Sequence, residues 1–279
     1  MTASTPLASL PLFLNTVLLG GSSREKIEAA AAAGFQQIEL WQQDVEGFDD
    51  ALEALRDRLS ARGLGLTDYQ VLMDFDGAPD AQRATKRAEA LRMLDTAVRV
   101  GASTVLAPAS TDPACDVSRV VDDLRWLAEE AASRGLRIAY EAMAWSTVNA
   151  TLPAAWAVVR QVDAGNLGLV VDAFHIFACA RQVTDLDGIP AERIFLVQLS
   201  DLNQDDGVDP AAVKDIARHR RLLPGQGHFP LAALLRRLRE IGYAGPIGLE
   251  VFNDTLKAAD PAQTARDAMA ALQAVLRSV

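Results

Sequence analysis

The chain has 279 residues, half of them hydrophobic and 23% charged, with a formal net charge of −10, so it holds one large domain or two small ones with ample core. The acidic balance counts against a nucleic-acid partner, which needs a basic footprint, and against an anionic membrane surface. Two cysteines, Cys115 and Cys179, give no disulfide framework and fit a reducing cytoplasm, and no apolar run is long enough to span a bilayer.

The first apolar stretch, Leu10 to Gly20, has no basic residues ahead of it and contains Asn15; it reads as a strand rather than a signal peptide. From there, short apolar runs alternate with longer amphipathic ones to the end of the sequence. Strands are predicted at Phe13–Leu19, Gln37–Trp41, Gly65–Val71, Thr104–Ala107, Arg137–Ala142, Gly168–Asp172, Ile194–Leu199 and Ile247–Val251. Between them the pattern predicts helices at Ser22–Gly34, Phe48–Gly63, Asp80–Gly101 and Val117–Gly135, each closing on a glycine suited to the left-handed turn after a helix. Leu152–Val162, Pro230–Gly242 and Pro261–Ser278 follow, opening near prolines as a first helical turn permits, with a short irregular helix around Arg181–Ile189.

Eight strand–helix units with right-handed crossovers close into a (β/α)8 TIM barrel, and no linker divides residues 1–279, which read as a single α/β domain. The competing doubly wound sheet normally carries a glycine-rich phosphate loop after its first strand; Gly20-Gly21 follows that strand, but no G-x-G-x-x-G or P-loop occurs. The longest excursion, Asp201–Phe229, opens on the face where barrels carry their chemistry and is long enough to wall a pocket.

The polar residues at the strand ends define the chemistry. The run Leu167-Gly-Leu-Val-Val-Asp172 is apolar up to its last residue, as suits a strand buried on both faces. Strand five ends in Tyr140-Glu141, strand six in Asp172, strand seven carries Gln198, and strand eight ends with Glu250. Carboxylates converging on one mouth repel unless a cation lies between them. An all-oxygen set selects a hard or intermediate divalent ion, Mg²⁺ or Mn²⁺ with Co²⁺ as a third choice. Asp172 also stands where it can cap the helix that follows.

His175 lies one short step beyond Asp172 and is the first candidate for the base that removes a proton beside a carbonyl; His219 is the second. Arg218 and Arg221, in the basic cluster Arg218-His219-Arg220-Arg221, carry the guanidinium forks that suit a carboxylate or other oxyanion. Tyr69, with Gln70, and Trp145 are candidate pocket residues; Trp41 and Trp156 read as pocket wall or core.

The segments Tyr140-Glu-Ala-Met-Ala-Trp145, Val171-Asp-Ala-Phe-His175, Ile194-Phe-Leu-Val-Gln198-Leu-Ser-Asp201, Arg218-His219 with Pro224-Gly-Gln-Gly227, and Gly248-Leu-Glu-Val-Phe-Asn-Asp254 resemble the xylose isomerase-like TIM-barrel family of sugar phosphate isomerases and epimerases. Within it they look most like bacterial 3-dehydroshikimate dehydratases. The resemblance implies that Glu141, Asp172, Gln198 and Glu250 are the metal ligands, with Glu141 and Glu250 also close to the chemistry. It brings His175 to the substrate and Arg218-His219 to a loop pair kept by many of the dehydratases. Two departures stand out: Ser146-Thr147 and Met73 occupy positions where the resembling enzymes carry cationic side chains.

The expected activity is that of a metal-dependent lyase or isomerase on a small polyhydroxylated keto compound. Proton removal beside a carbonyl is common to a 3-dehydroshikimate dehydratase and to a sugar or keto-inositol isomerase or epimerase. A multi-zinc nuclease of the related endonuclease type would want more than three histidines and a basic face; a non-catalytic sugar-binding barrel would bind without turnover. Whether copies associate as a homo-oligomer is left open.

Overall fold

A computed structural model describes residues 6–48, 50–203 and 207–279. Asp49, within the helix expected at 48–63, and residues 204–206 of the long excursion lie outside the described residues. The strands are β1 (Leu12–Asn15), β2 (Gln37–Trp41), β3 (Gly65–Gln70), β4 (Thr104–Pro108), β5 (Arg137–Glu141), β6 (Leu167–Asp172), β7 (Ile194–Leu199) and β8 (Ile247–Leu249). All pair in parallel with their sequence neighbours, and β8 returns to β1 to close the barrel in the order 1 to 8. The helices are α1 (Ser23–Ala32), α2 (Gln42–Glu46), α3 (Leu52–Ala61), α4 (Asp80–Val100), α5 (Val120–Ala132), α6 (Leu152–Val162), α7 (Ala173–Phe177), α8 (Val213–His219), α9 (Leu231–Glu240), α10 (Asp254–Ala258) and α11 (Pro261–Arg277). The expected (β/α)8 barrel is what the chain forms.

Local chemistry sets the element ends. Ser22 and Glu25 close a reciprocal capping box on α1, and Gly101 stops α4 at φ 84°, a left-handed turn that a Cβ disfavours. The first strand stops at Asn15, four residues short of the expectation. The Asn15 side chain accepts from Val17 N–H and turns the chain into a 3₁₀ helix at Thr16–Leu18. The eighth strand likewise ends at Leu249 rather than Val251. No helix among the described residues is long and apolar enough to cross a membrane.

Side-chain alternation then creates two cores and one polar layer. Outward-facing strand residues pack against the helices in a large continuous core. Inward-facing residues form a small plug of Phe13, Leu106, Ala139, Val170 and Leu196, joined by Val71 and Phe195. Gly248 belongs to this level: a Cβ there would overlap the Phe13 ring and carbonyl, so the close approach of β8 to β1 needs glycine. Two residues further along each strand, the same inward parity brings up Asn15, Glu141, Asp172, Gln198 and Glu250, with Glu39 and Asp68 in register on β2 and β3. The apolar plug seals the barrel floor, and the polar layer lies at the C-terminal mouth.

Candidate active site

Asp172 combines the two roles its position allows. One carboxylate oxygen accepts from Phe174 N–H at 2.8 Å and caps α7; the other accepts from Arg221 Nη1 at 2.9 Å. Arg221 Nη1 also reaches Glu250 Oε2 at 3.1 Å and the Glu250 carbonyl at 3.2 Å, while its Nε donates to the Ala217 carbonyl at 2.8 Å. Its guanidinium lies 4.5 Å from the centre of the Phe174 ring and 5.3 Å from that of Phe252. Arg221 is 1% exposed. The oxyanion clamp expected from Arg221 is therefore already committed to two carboxylates of its own chain.

Three buried carboxylates, Glu141, Asp172 and Glu250, meet at this point. Burial pushes Glu250 up to about 7 against the pull of Arg221, and burial, then Glu250 and Asp172, holds Glu141 well above the usual carboxylate range. With all three ionised, one guanidinium leaves two negative charges uncompensated, the charge that a divalent cation balances. The donors fit such an ion. Glu141 Oε1 and Gln198 Oε1 are buried acceptors with no hydrogen-bond partner, and carboxylate oxygens of Glu141 and Asp172 lie within 4.8 Å of each other.

His175 is 4% exposed, and burial pushes its imidazole down to about 4, so it is neutral at pH 7. Its Nδ1 accepts from Ala144 N–H at 3.2 Å, which puts the single ring proton on Nε2. That Nε2–H faces Asp172 Oδ2 at 3.4 Å and Glu141 Oε1 at 3.6 Å. In this tautomer Nε2 has no lone pair for a metal, so His175 faces the mouth as a hydrogen-bond donor. The ring nitrogen that faces the pocket therefore carries the proton in this tautomer.

Above these groups opens a cavity of about 490 Å³, within the range of small-molecule sites. Trp145, edge-on to His175 with ring centres 5.0 Å apart, lines it together with Trp41, Met73 and Gln70. Tyr69, expected here, is not among the lining residues. It follows the outward parity of β3 into the helix-facing core, where burial raises its phenol to about 12; Gln70, one residue on, takes the pocket position. Arg218 and His219 line the rim rather than the floor, in the last turn of α8, a helix that forms inside the long excursion. His219 is exposed at this rim and pairs with Asp254 at 3.0 Å. Asp201, beside the strand-seven end, accepts from the N–H groups of Leu202, Gly225 and Phe229 and folds the excursion back on the barrel. The Ser146 and Thr147 hydroxyls donate to the carbonyls of Ala109 and Ser110 and add no charge to the pocket.

Several polar residues of the region were not expected from the sequence. Asn15 Nδ2 donates to Glu250 Oε1 at 3.0 Å, and Gln198 Nε2 donates to Glu39 Oε1 at 2.8 Å. Glu39 and Asp68 are fully buried, and burial raises both well above the usual range. Charged residues inside otherwise apolar strands, two positions before Trp41 and Gln70, were the available signal. Behind strand five, Tyr140 donates to Asp76 Oδ2 at 2.7 Å and accepts from Asn149 at 2.9 Å. This ties the loops after β3 and β5 together.

Burial raises Asp76 from 3.8 to about 6. A carboxyl raised on folding contributes stability that is full below pH 3.8 and lost as pH rises through 6. Asp76→Asn should match wild type near pH 4 and exceed it by roughly 3 kcal/mol above pH 7, because each pH unit between those two values is worth about 1.4 kcal/mol. Urea unfolding of both proteins at the two pH values measures this; a pH-independent difference would contradict it.

A parallel barrel with an oxygen-rich, acidic ligand set at the C-terminal ends of its strands is the class that this fold and site define. The chain belongs to the xylose isomerase-like TIM barrel family, which matches residues 27–275. A 3-dehydroshikimate dehydratase of Pseudomonas aeruginosa is 38% identical over 266 residues, 92% of this chain and 40% of that protein. An inosose isomerase of Halalkalibacterium halodurans is 31% identical over 152 residues, 53% of this chain and 51% of that protein. Among solved structures, a xylose isomerase-like TIM barrel/4-hydroxyphenylpyruvate dioxygenase fusion protein superposes with a TM-score of 0.89 at 34% identity, over 94% of this chain and 42% of that one. The chain thus spans about two fifths of the length of the dehydratase it matches.

Proposed function

We propose that the chain is a divalent-metal-dependent lyase that dehydrates 3-dehydroshikimate. The observation that carries this reading is the convergence of Glu141, Asp172, Gln198 and Glu250 on one mouth in a chain 38% identical to a dehydratase over 92% of its length. Glu141, Asp172 and Glu250, with the carboxamide oxygen of Gln198, would hold Mn²⁺, Mg²⁺ or Co²⁺. The cation supplies a Lewis acid that polarises a carbonyl oxygen.

The chain's own groups do the proton work. Glu141 Oε1, an unpartnered acceptor whose carboxyl is raised by burial, takes the proton from the carbon beside the carbonyl. His175 Nε2–H, 3.6 Å away, holds the departing hydroxyl by a hydrogen bond, and the proton that Glu141 has taken passes to that hydroxyl, so that water leaves and the carboxylate is restored. Trp41, Trp145 and Met73 form an apolar wall that excludes water. Arg218, an exposed guanidinium at the rim with no ion-pair partner among the described residues, meets the substrate carboxylate. The two free cysteines fit the cytoplasm.

A second reading rests on a specific observation. Arg221 is committed to Asp172 and Glu250, and Met73 lines the cavity without a charge. A pocket with one peripheral cation also suits a neutral keto-inositol or ketose, which the same proton chemistry would isomerise. The deciding assay takes chelator-stripped protein, adds back each metal, and supplies 3-dehydroshikimate beside inososes and ketoses. Protocatechuate formation that needs metal, and a raised KM in Arg218→Ala, are expected. Turnover of neutral compounds alone would replace the dehydratase reading with the isomerase one, and full activity without metal would reject both.

A further inference from the structure

Gln198 and Glu39 face each other across the barrel from β7 and β2. Both are completely buried, and Gln198 Nε2 lies 2.8 Å from Glu39 Oε1. A carboxamide has a donor end and an acceptor end of nearly equal shape, so its partner decides which end points where. An ionised carboxylate can only accept, and Glu39 Oε1 does accept here, from Nε2. Opposite Glu39, therefore, the NH₂ end must turn inward, and the oxygen is left facing away. That oxygen is buried without a partner, on a residue in register with Asp172.

We infer that Glu39 is a positioning residue that presents the Gln198 carboxamide oxygen to the cation. This rests on the divalent-metal reading of the mouth. Without Glu39 the amide can rotate and offer its NH₂ group, which a cation rejects. The same interior contains a natural control. Asp68, in register with Glu39 on β3, is equally buried, yet both its oxygens lack any hydrogen-bond partner. It contributes a carboxyl to the same space and orients nothing.

The test is Mn²⁺ binding to the chelator-stripped full chain, followed by the spin-resonance signal of free Mn²⁺, with no assay of activity. Glu39→Met should weaken binding about 10-fold or more, as losing a group that orients a ligand does. Glu39→Gln, which keeps an acceptor but no longer selects the amide end, should fall between Glu39→Met and wild type. Asp68→Leu, which removes the same formal charge, should weaken binding by a markedly smaller factor. In a Gln198→Leu background, Glu39→Met should add nothing, because residues acting through one another are not additive. Equal losses in Glu39→Met and Asp68→Leu, or an undiminished loss in the Gln198→Leu background, would overturn the positioning role while leaving the metal site standing. A wild-type chain that binds none of Mn²⁺, Mg²⁺ or Co²⁺ would overturn both. Should Glu39→Met fail to fold, a crystal structure of the Mn²⁺-soaked wild type decides. Gln198 Oε1 on the cation with Nε2 on Glu39 supports the inference; Gln198 off the cation, or Glu39 on it, overturns it.

Discussion

Exchanging Arg221 for methionine should cost about 3–5 kcal/mol of stability, the range for removing one member of a buried ion pair. The guanidinium is 1% exposed and bonds Asp172 and Glu250 at 2.9 and 3.1 Å. Methionine preserves much of the packing between Phe174 and Phe252 but leaves three buried carboxylates with no positive neighbour. Two observations separate this cause from a simple packing defect. The deficit should be larger at pH 8 than at pH 5.5, because without the pull of Arg221 the Glu250 carboxyl, already raised to about 7, is pushed higher still, and both proteins are relieved of its charge only once it is protonated. Added divalent cation should restore part of the loss by binding only the folded form. A deficit unaffected by pH and metal would show that Arg221 acts as a spacer. Thermal melts of metal-free and metal-loaded protein at pH 5.5 and 8 provide the comparison.

His175→Asn should lower turnover by roughly 10²–10³, the range for losing one preorganised donor aimed at developing charge, with little change in melting temperature. The shorter asparagine side chain retains a polar atom near Nδ1 and the Ala144 N–H but none near Glu141. Glutamine can direct an amide donor toward the place of Nε2 and should keep most of the activity. A glutamine variant that falls as far as the asparagine one would contradict the hydrogen-bonding role of the ring. Their metal affinity should change little, because the tautomer fixed by Ala144 keeps Nε2 out of the ligand set.

The barrel was legible because each strand announces itself twice. The runs at Leu167–Val171 and Ile194–Val197 are apolar on both faces, as only a sheet covered inside and outside requires, and glycines such as Gly101 punctuate the helices. The four candidate oxygen ligands were legible from strand ends alone, since parallel strands in a barrel deliver those ends to one place. Tyr69 shows what was harder. A one-residue difference in parity separates pocket from core, and neither Tyr69 nor Gln70 declares which side it takes. Register with β2 resolves it: Trp41 pairs with Gln70, and Glu39 with Asp68. The commitment of Arg221 could not be read either. Asp172 lies 49 positions before it, and only the return of the excursion through the Asp201–Leu222 bridge, with α8 packed before it, brings the two together.

The bond from Asn15 to Glu250 joins residues 235 positions apart. It fastens the first strand to the last, and the closing seam of the barrel runs directly beneath the mouth. A nascent chain still short of β8 would have Glu141, Asp172 and Gln198 but neither Glu250 nor the seam. The full set of candidate ligands therefore comes together only where the first strand meets the last.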